Sequence, residues 1–171
     1  MQKIKIFLVF LFIGAVNISC QETEKLPEKL SNSLLYIEAK DEVGTGTGRY
    51  TEIVSYDLKT NKEHYLTNDI FYDRYPSYSS IYNSIVFESK RSNPGIAGLS
   101  ASSAIYILKL EDGSINKLDL YKGPAGVGLK EQHLPSFNKG GNIVSFMKYN
   151  DNTTRDYSLI LYYLEKDSLE V

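Results

Sequence analysis

Chemistry needs a nucleophile, a proton carrier or a set of metal ligands held at working distance, and this chain offers few of them. Cys20 is its single cysteine, which excludes an internal disulfide and a thiolate zinc cage. Its two histidines, His64 and His133, stand apart without metal-ligand spacing. Gly98-Leu99-Ser100-Ala101-Ser102 nearly spells a nucleophile elbow, but its last position is Ser, and it leads into an apolar β run rather than a helix. Gly44-Thr45-Gly46-Thr47-Gly48 could cradle a phosphate only if a helix N-terminus followed. Arg49-Tyr50 and a β run follow instead, so the stretch reads as a hairpin loop, as does Gly123–Gly128. The carboxylates are scattered. The sequence thus points to no catalytic residue, no metal and no cofactor, and we read the chain as a non-enzyme.

The elements that must carry any site are written more than once. Tyr75–Lys90, YPSYSSIYNSIVFESK, returns with changes as Leu134–Lys148, LPSFNKGGNIVSFMK. A unit repeated at this distance predicts a repeat architecture. Three runs align as second strands: Leu35–Lys40, Ile85–Lys90 and Ile143–Lys148. In this alignment Glu38 and Glu88 coincide. Three more align as third strands: Ile53–Leu58, Ile105–Leu110 and Leu159–Leu164. Runs apolar on both faces suit sheets packed between other sheets. Each unit closes on a tight turn centred on Asn61, Gly113 or Asp167, residue types that tolerate a left-handed backbone or bond to it. A last strand follows at His64–Thr67, Ile115–Leu120 and Leu169–Val171. First strands precede only the second and third units, at Tyr75–Ser79 and Leu134–Phe137. The unit is a four-stranded antiparallel meander.

Composition agrees. The 171 residues suffice for one domain with a sizeable core. Fourteen Tyr and seven Phe without Trp favour half-buried pleated surfaces. The net charge is −2, and removal of Lys3 and Lys5 makes it more negative. A chain of this sign has no field to gather phosphates, so nucleic acid is not an expected partner. At the N-terminus, Lys3 and Lys5 precede the apolar run Ile6–Val16 and then Asn17-Ile18-Ser19-Cys20. This resembles a bacterial lipoprotein signal. The resemblance implies that residues 1–19 are removed, that Cys20 carries the lipid (palmitate among its chains), and that residues 20–33 form a membrane-anchored linker. The acidic Gln21–Glu24 is similar to tags that direct export, so the expected location is the outer membrane of the cell envelope, with its periplasmic or surface face left open.

The repeats resemble the TolB-like β-propeller family. The residues that carry the resemblance are Leu66-Thr67, Asp73-Arg74-Tyr75-Pro76-Ser77-Tyr78-Ser79, Ile85–Arg91 (IVFESKR) and Val54–Lys62 (VSYDLKTNK). Tyr78 and Phe137 stand where the family has Trp. The resemblance implies an all-β fold: a partial propeller of about three four-stranded blades over residues 34–171, in units near 34–67, 75–120 and 134–171. The first blade lacks its innermost strand. It also implies an envelope protein that binds protein or peptide partners. Self-association to complete a ring is a further expectation. The alternative is the front of a longer chain, such as a prolyl-oligopeptidase-like serine peptidase. A meander puts its second-to-third loops and blade connections on one face. The binding-face candidates there are Arg49, Tyr50, Asp73, Arg74, Arg91, His133 and Arg155, all taken as loop residues.

Overall fold

The computed structural model describes residues 26–41, 49–91, 103–118, 132–149, 157–165 and 168–170. All regular structure among them is antiparallel strand. Blade 1 holds β1 (Ser33–Asp41), β2 (Arg49–Asp57) and β3 (Lys62–Tyr65). Blade 2 holds β4 (Asp73–Ser79), β5 (Ser84–Ser89), β6 (Ala104–Lys109) and β7 (Ile115–Lys117). Blade 3 holds β8 (Gln132–Phe137), β9 (Ile143–Tyr149), β10 (Tyr157–Tyr163) and β11 (Ser168–Glu170). Each sheet runs in chain order, so each is a meander. The expected partial propeller is present, and among the described residues blade 1 has three strands where its neighbours have four.

The blades stack through two apolar cores on opposite faces of blade 2. Toward blade 1 lie Ile85, Phe87, Tyr106 and Leu108, against Ile53 and Leu66. Toward blade 3 lie Val86, Ile105 and Ile107, against Val144, Phe146, Ile160 and Tyr162. Alternation along β5 sends Ile85 one way and Val86 the other, which is why its centre Ile85–Phe87 is apolar on both faces and the strand is buried at every position.

One hydrogen bond recurs in all three units and fixes their equivalence. Leu58 N donates to Asn32 O at 3.0 Å, Leu110 N to Asn83 O at 3.1 Å, and Leu164 N to Asn142 O at 3.0 Å. Third strands therefore align as the sequence suggests. Second strands do not. Ile85 corresponds to Leu34 and Val144, not to Leu35 and Ile143. Matching the Ile-Val pairs slips the alignment by one residue, which in a strand exchanges the two faces. Glu88 thus corresponds to Ile37 and Met147, and its expected coincidence with Glu38 is corrected.

The predicted turns hold where they are described. Asn61 has φ +54° and Gly113 φ +71°, and their amides bond to Asp57 O and Lys109 O at 2.9 Å. Asp167 lies outside the described residues. Tyr75 and Leu134 share a left-handed φ of +54° and +55°. Each precedes a proline inside an irregularity of the β4–β5 or β8–β9 ladder, a bulge that increases the local twist.

Candidate functional site

Most of the described candidates gather at one end of the stack, where β2, β4, β6 and β8 begin and β5 ends. Arg91 follows the end of β5, and the others arrive there on strands, not loops. Arg49 and Tyr50 open β2, whose pairing with β1 runs out to Asp41↔Arg49. Asp73 and Arg74 open β4, and His133 is the second residue of β8. The segments expected as loops before β2, β4 and β8 are shorter by a few residues because the strands begin earlier, whereas the segment 90–103 between β5 and β6 has the expected bounds. Arg155 and Cys20 lie outside the described residues.

Two charged clusters form. In the first, between blades 1 and 2, Arg91 Nη2 lies 2.6 Å from Asp73 Oδ2 and 3.0 Å from Asp69 Oδ2. Its guanidinium also sits against the rings of Phe71, Phe87 and Tyr106, 5.2 to 5.4 Å from their centroids. Glu52 joins this group. Thr67 Oγ1 donates to Glu52 Oε2 at 2.7 Å, and Asp69 N donates to Glu52 Oε1 at 2.9 Å. Burial, opposed by Arg91, pushes Asp73 up to about 7. Burial likewise raises Glu52, against the bonds from Thr67 and Asp69. Carboxylate oxygens of Glu52, Asp69 and Asp73 lie within 4.8 Å of one another, a donor set of the kind that hard cations use. Here Arg91 supplies the positive charge. The sequence shows these carboxylates only as scattered acids, because blade packing brings them together.

In the second cluster, between blades 2 and 3, Arg74 reaches across the β4–β5 ladder to Glu88 Oε1, with Nε at 2.9 Å and Nη2 at 2.6 Å. His133 Nδ1 approaches Glu88 Oε2 from blade 3 at 3.1 Å. Burial alone would raise Glu88. Its contacts with His133 and Arg74 outweigh that and hold it below the ordinary range. Glu88 is therefore a buried anion shared by two inner strands. The residue equivalent to Asp73 at the head of β8 is Gln132, also buried. It accepts from Ile105 N at 3.1 Å and so ties blade 3 to blade 2.

Beside this second cluster opens a pocket of about 550 Å³, lined by Arg74, Tyr75, His133, Leu134, Met147, Tyr149 and Tyr157. Tyr75, Leu134 and Tyr157 are exposed at it. The left-handed backbone at Tyr75 and Leu134 is shared by the two inner strands and sets the same side-chain direction in each. Tyr149 and Tyr157 pack tilted at 47° with centroids 4.2 Å apart, and His133 meets Tyr149 edge-on at 5.7 Å. Such a surface has aromatic and aliphatic walls and one guanidinium, Arg74, whose charge is already partly spent on Glu88. It suits side chains of a polypeptide better than a bare anion. Of the sequence candidates, Arg74 and His133 line it. Asp73 and Arg91 are structural neighbours behind it, and Tyr75, Leu134, Met147, Tyr149 and Tyr157 were missed. The shared Tyr/Leu-Pro-Ser spacing was the signal available for the first two.

No protein-family model matches the chain, and no curated protein does. Solved structures do. TolB from Acinetobacter baumannii superposes with a TM-score of 0.54 at 18% identity, over 81% of this chain and 29% of its own. A TolB-designated protein from Agrobacterium tumefaciens gives 0.60 at 19%, over 86% and 50%. The chain thus spans half or less of these structures, and its fold is a TolB-like β-propeller type.

Proposed function

We propose that this chain is a non-catalytic cell-envelope lipoprotein that binds a protein or peptide partner at the end of blades 2 and 3. The observation that carries the reading is the pocket between the two inner strands. Exposed Tyr75, Leu134 and Tyr157 surround Arg74 and His133, both held in place by the buried Glu88. Rigid aromatic anchors of this kind dominate binding energies at polypeptide interfaces. The TolB-like fold supports an envelope role by analogy of architecture. The leader supports attachment through Cys20.

Two measurements test the two halves. A photo-crosslinking amino acid at Tyr75 or Tyr157 is expected to capture a discrete partner from intact cells, while the same probe at Leu58 in blade 1 captures none. Equal capture at all three positions, or none at Tyr75 and Tyr157, removes the binding site. Incorporation of labelled palmitate that Cys20→Ser abolishes supports the anchor; labelling unchanged in that variant removes it.

A further inference from the structure

The last residues of the expected linker are packed onto the stack. Leu26 lies against the β6–β7 turn, its Cδ1 3.3 Å from where a Cβ at Gly113 would stand. Asn83 Nδ2 donates to Glu28 O at 2.7 Å, and Leu30 N donates to Tyr78 Oη at 3.4 Å. Leu30 is 5% exposed and belongs to the core between blades 1 and 2. Ser33 N then bonds to Leu30 O at 3.2 Å, and β1 begins. Gly113, Asn83 and Tyr78 all lie at the hairpin-turn end of blade 2. Residues 26–32 therefore form a strap across that end, opposite the end that holds the pocket.

We propose that this strap orients the protein on the membrane: the turn end of blades 2 and 3 rests against the lipid surface, and the pocket end faces away from it. The inference rests on the reading of Cys20 as the lipid-bearing residue. Six residue steps separate Cys20 from Leu26, a reach of about 20 Å at full extension. The turn end is within that reach however the tether runs. The pocket end lies a further strand length away, and the seven residues of β4 alone span about 20 Å. The tether brings that end to the lipid only by running back along the whole stack fully extended, which fixes every backbone angle at the largest entropic cost.

Exposed apolar side chains occur at both ends, so exposure does not choose between them. Ile81, in the β4–β5 turn, is 67% exposed, and Ile70, in the connection before β4 at the pocket end, is 57% exposed. The strap is what distinguishes them. At the turn end Lys59, Lys62 and Lys139 are balanced by Glu111, Asp112 and Glu165, so the contact is with the apolar boundary and not with a particular headgroup charge. At the pocket end Tyr75, Leu134 and Tyr157 stay clear for a partner arriving from the opposite side.

The protein is expressed from its whole sequence in bacteria, purified in detergent and reconstituted in phosphatidylcholine vesicles that carry a nitroxide on the lipid headgroup. Ile81→Cys and Ile70→Cys each receive a fluorophore, while Cys20 is blocked by its own lipid. Quenching is expected to be several-fold greater at position 81 than at position 70. Leu26→Ser and Asn83→Gly together release the strap, and glycine keeps the left-handed backbone of Asn83, φ +47°. With the fold intact by circular dichroism, this release is expected to bring the two values close together. Equal quenching, or stronger quenching at position 70, in protein that floats with the vesicles overturns the orientation and leaves the anchor standing. Protein that does not float with them overturns the anchor, and the orientation with it. A contrast unchanged by releasing the strap overturns the strap as its cause.

Discussion

Arg91 is the side chain on which the first charged cluster depends. It answers two carboxylates and three aromatic rings at once. Removing one partner of a buried pair leaves an uncompensated charge. Arg91→Ala is expected to lower unfolding stability by about 3–5 kcal/mol in urea titrations, and Arg91→Lys by less. Two of the buried acids, Asp73 and Glu88, respond to pH with opposite signs. Asp73 is raised to about 7, so the folded state binds its proton more tightly than the unfolded chain does. Its contribution is fullest below the unfolded value near 4 and falls as pH rises toward 7. Glu88 is lowered, so its contribution is present above the ordinary glutamate value and lost as pH falls from there through the lower folded-state value. Stability measured from pH 4 to 7 should therefore decline less, or rise more, with pH in Asp73→Asn than in the native chain. Parallel curves would contradict the assigned shift. Asp73, Arg74, Arg91 and His133 were legible because they sit at fixed places in a repeat. Glu52, Asp69 and Glu88 were not, because their meaning comes from the neighbouring blade and no local spacing records it.

At the scale of the element, turns decide register. The blade 3 hairpin closes through Asn138 and Gly141, with Gly141 N bonded to Asn138 O at 2.9 Å and φ at +73°. A Cβ at Gly141 would stand 2.4 Å from Ser79 Oγ on blade 2, so backbone strain and a clash with another blade coincide. Gly141→Ala is expected to cost more than the roughly 1 kcal/mol of a left-handed glycine alone. Pairing it with Ser79→Ala should recover part of the loss in thermal or urea unfolding, since the second change removes the clash and leaves the strain. Recovery of nothing would place the whole cost in the backbone. The strands themselves were legible from their apolar runs, and the turns at Asn61 and Gly113 from residue type. The one-residue slip arose because hydrophobic identity is a weak marker of register. The asparagines at 32, 83 and 142, which accept the same hydrogen bond from the third strand, were the stronger one. A slip of one residue matters because it hands the buried Glu88 the partner of the half-exposed Glu38.

Across the whole molecule, blade 2 is a partition between two cores that share no residue. Stability of stacked units is expected to be a sum of unit and nearest-neighbour terms, and the partition makes that expectation testable with three buried side chains. Ile53 and Phe87 belong to the core between blades 1 and 2, and Ile160 to the core between blades 2 and 3. Each truncation to alanine should cost about 2–5 kcal/mol, the transfer loss plus whatever cavity the neighbours leave unfilled. Ile53→Ala combined with Ile160→Ala acts on separate cores, so their costs should add to within about 0.5 kcal/mol. Ile53→Ala combined with Phe87→Ala empties one shared space, and there a coupling of about 0.5–3 kcal/mol is expected. Urea unfolding of the four proteins and the two double variants reads both quantities. Strong coupling between Ile53 and Ile160 would mean that strain passes through the blade 2 sheet. The two inner-strand clusters at Asp73 and Glu88 would then be coupled sites, and a partner bound at blade 3 would be felt in blade 1.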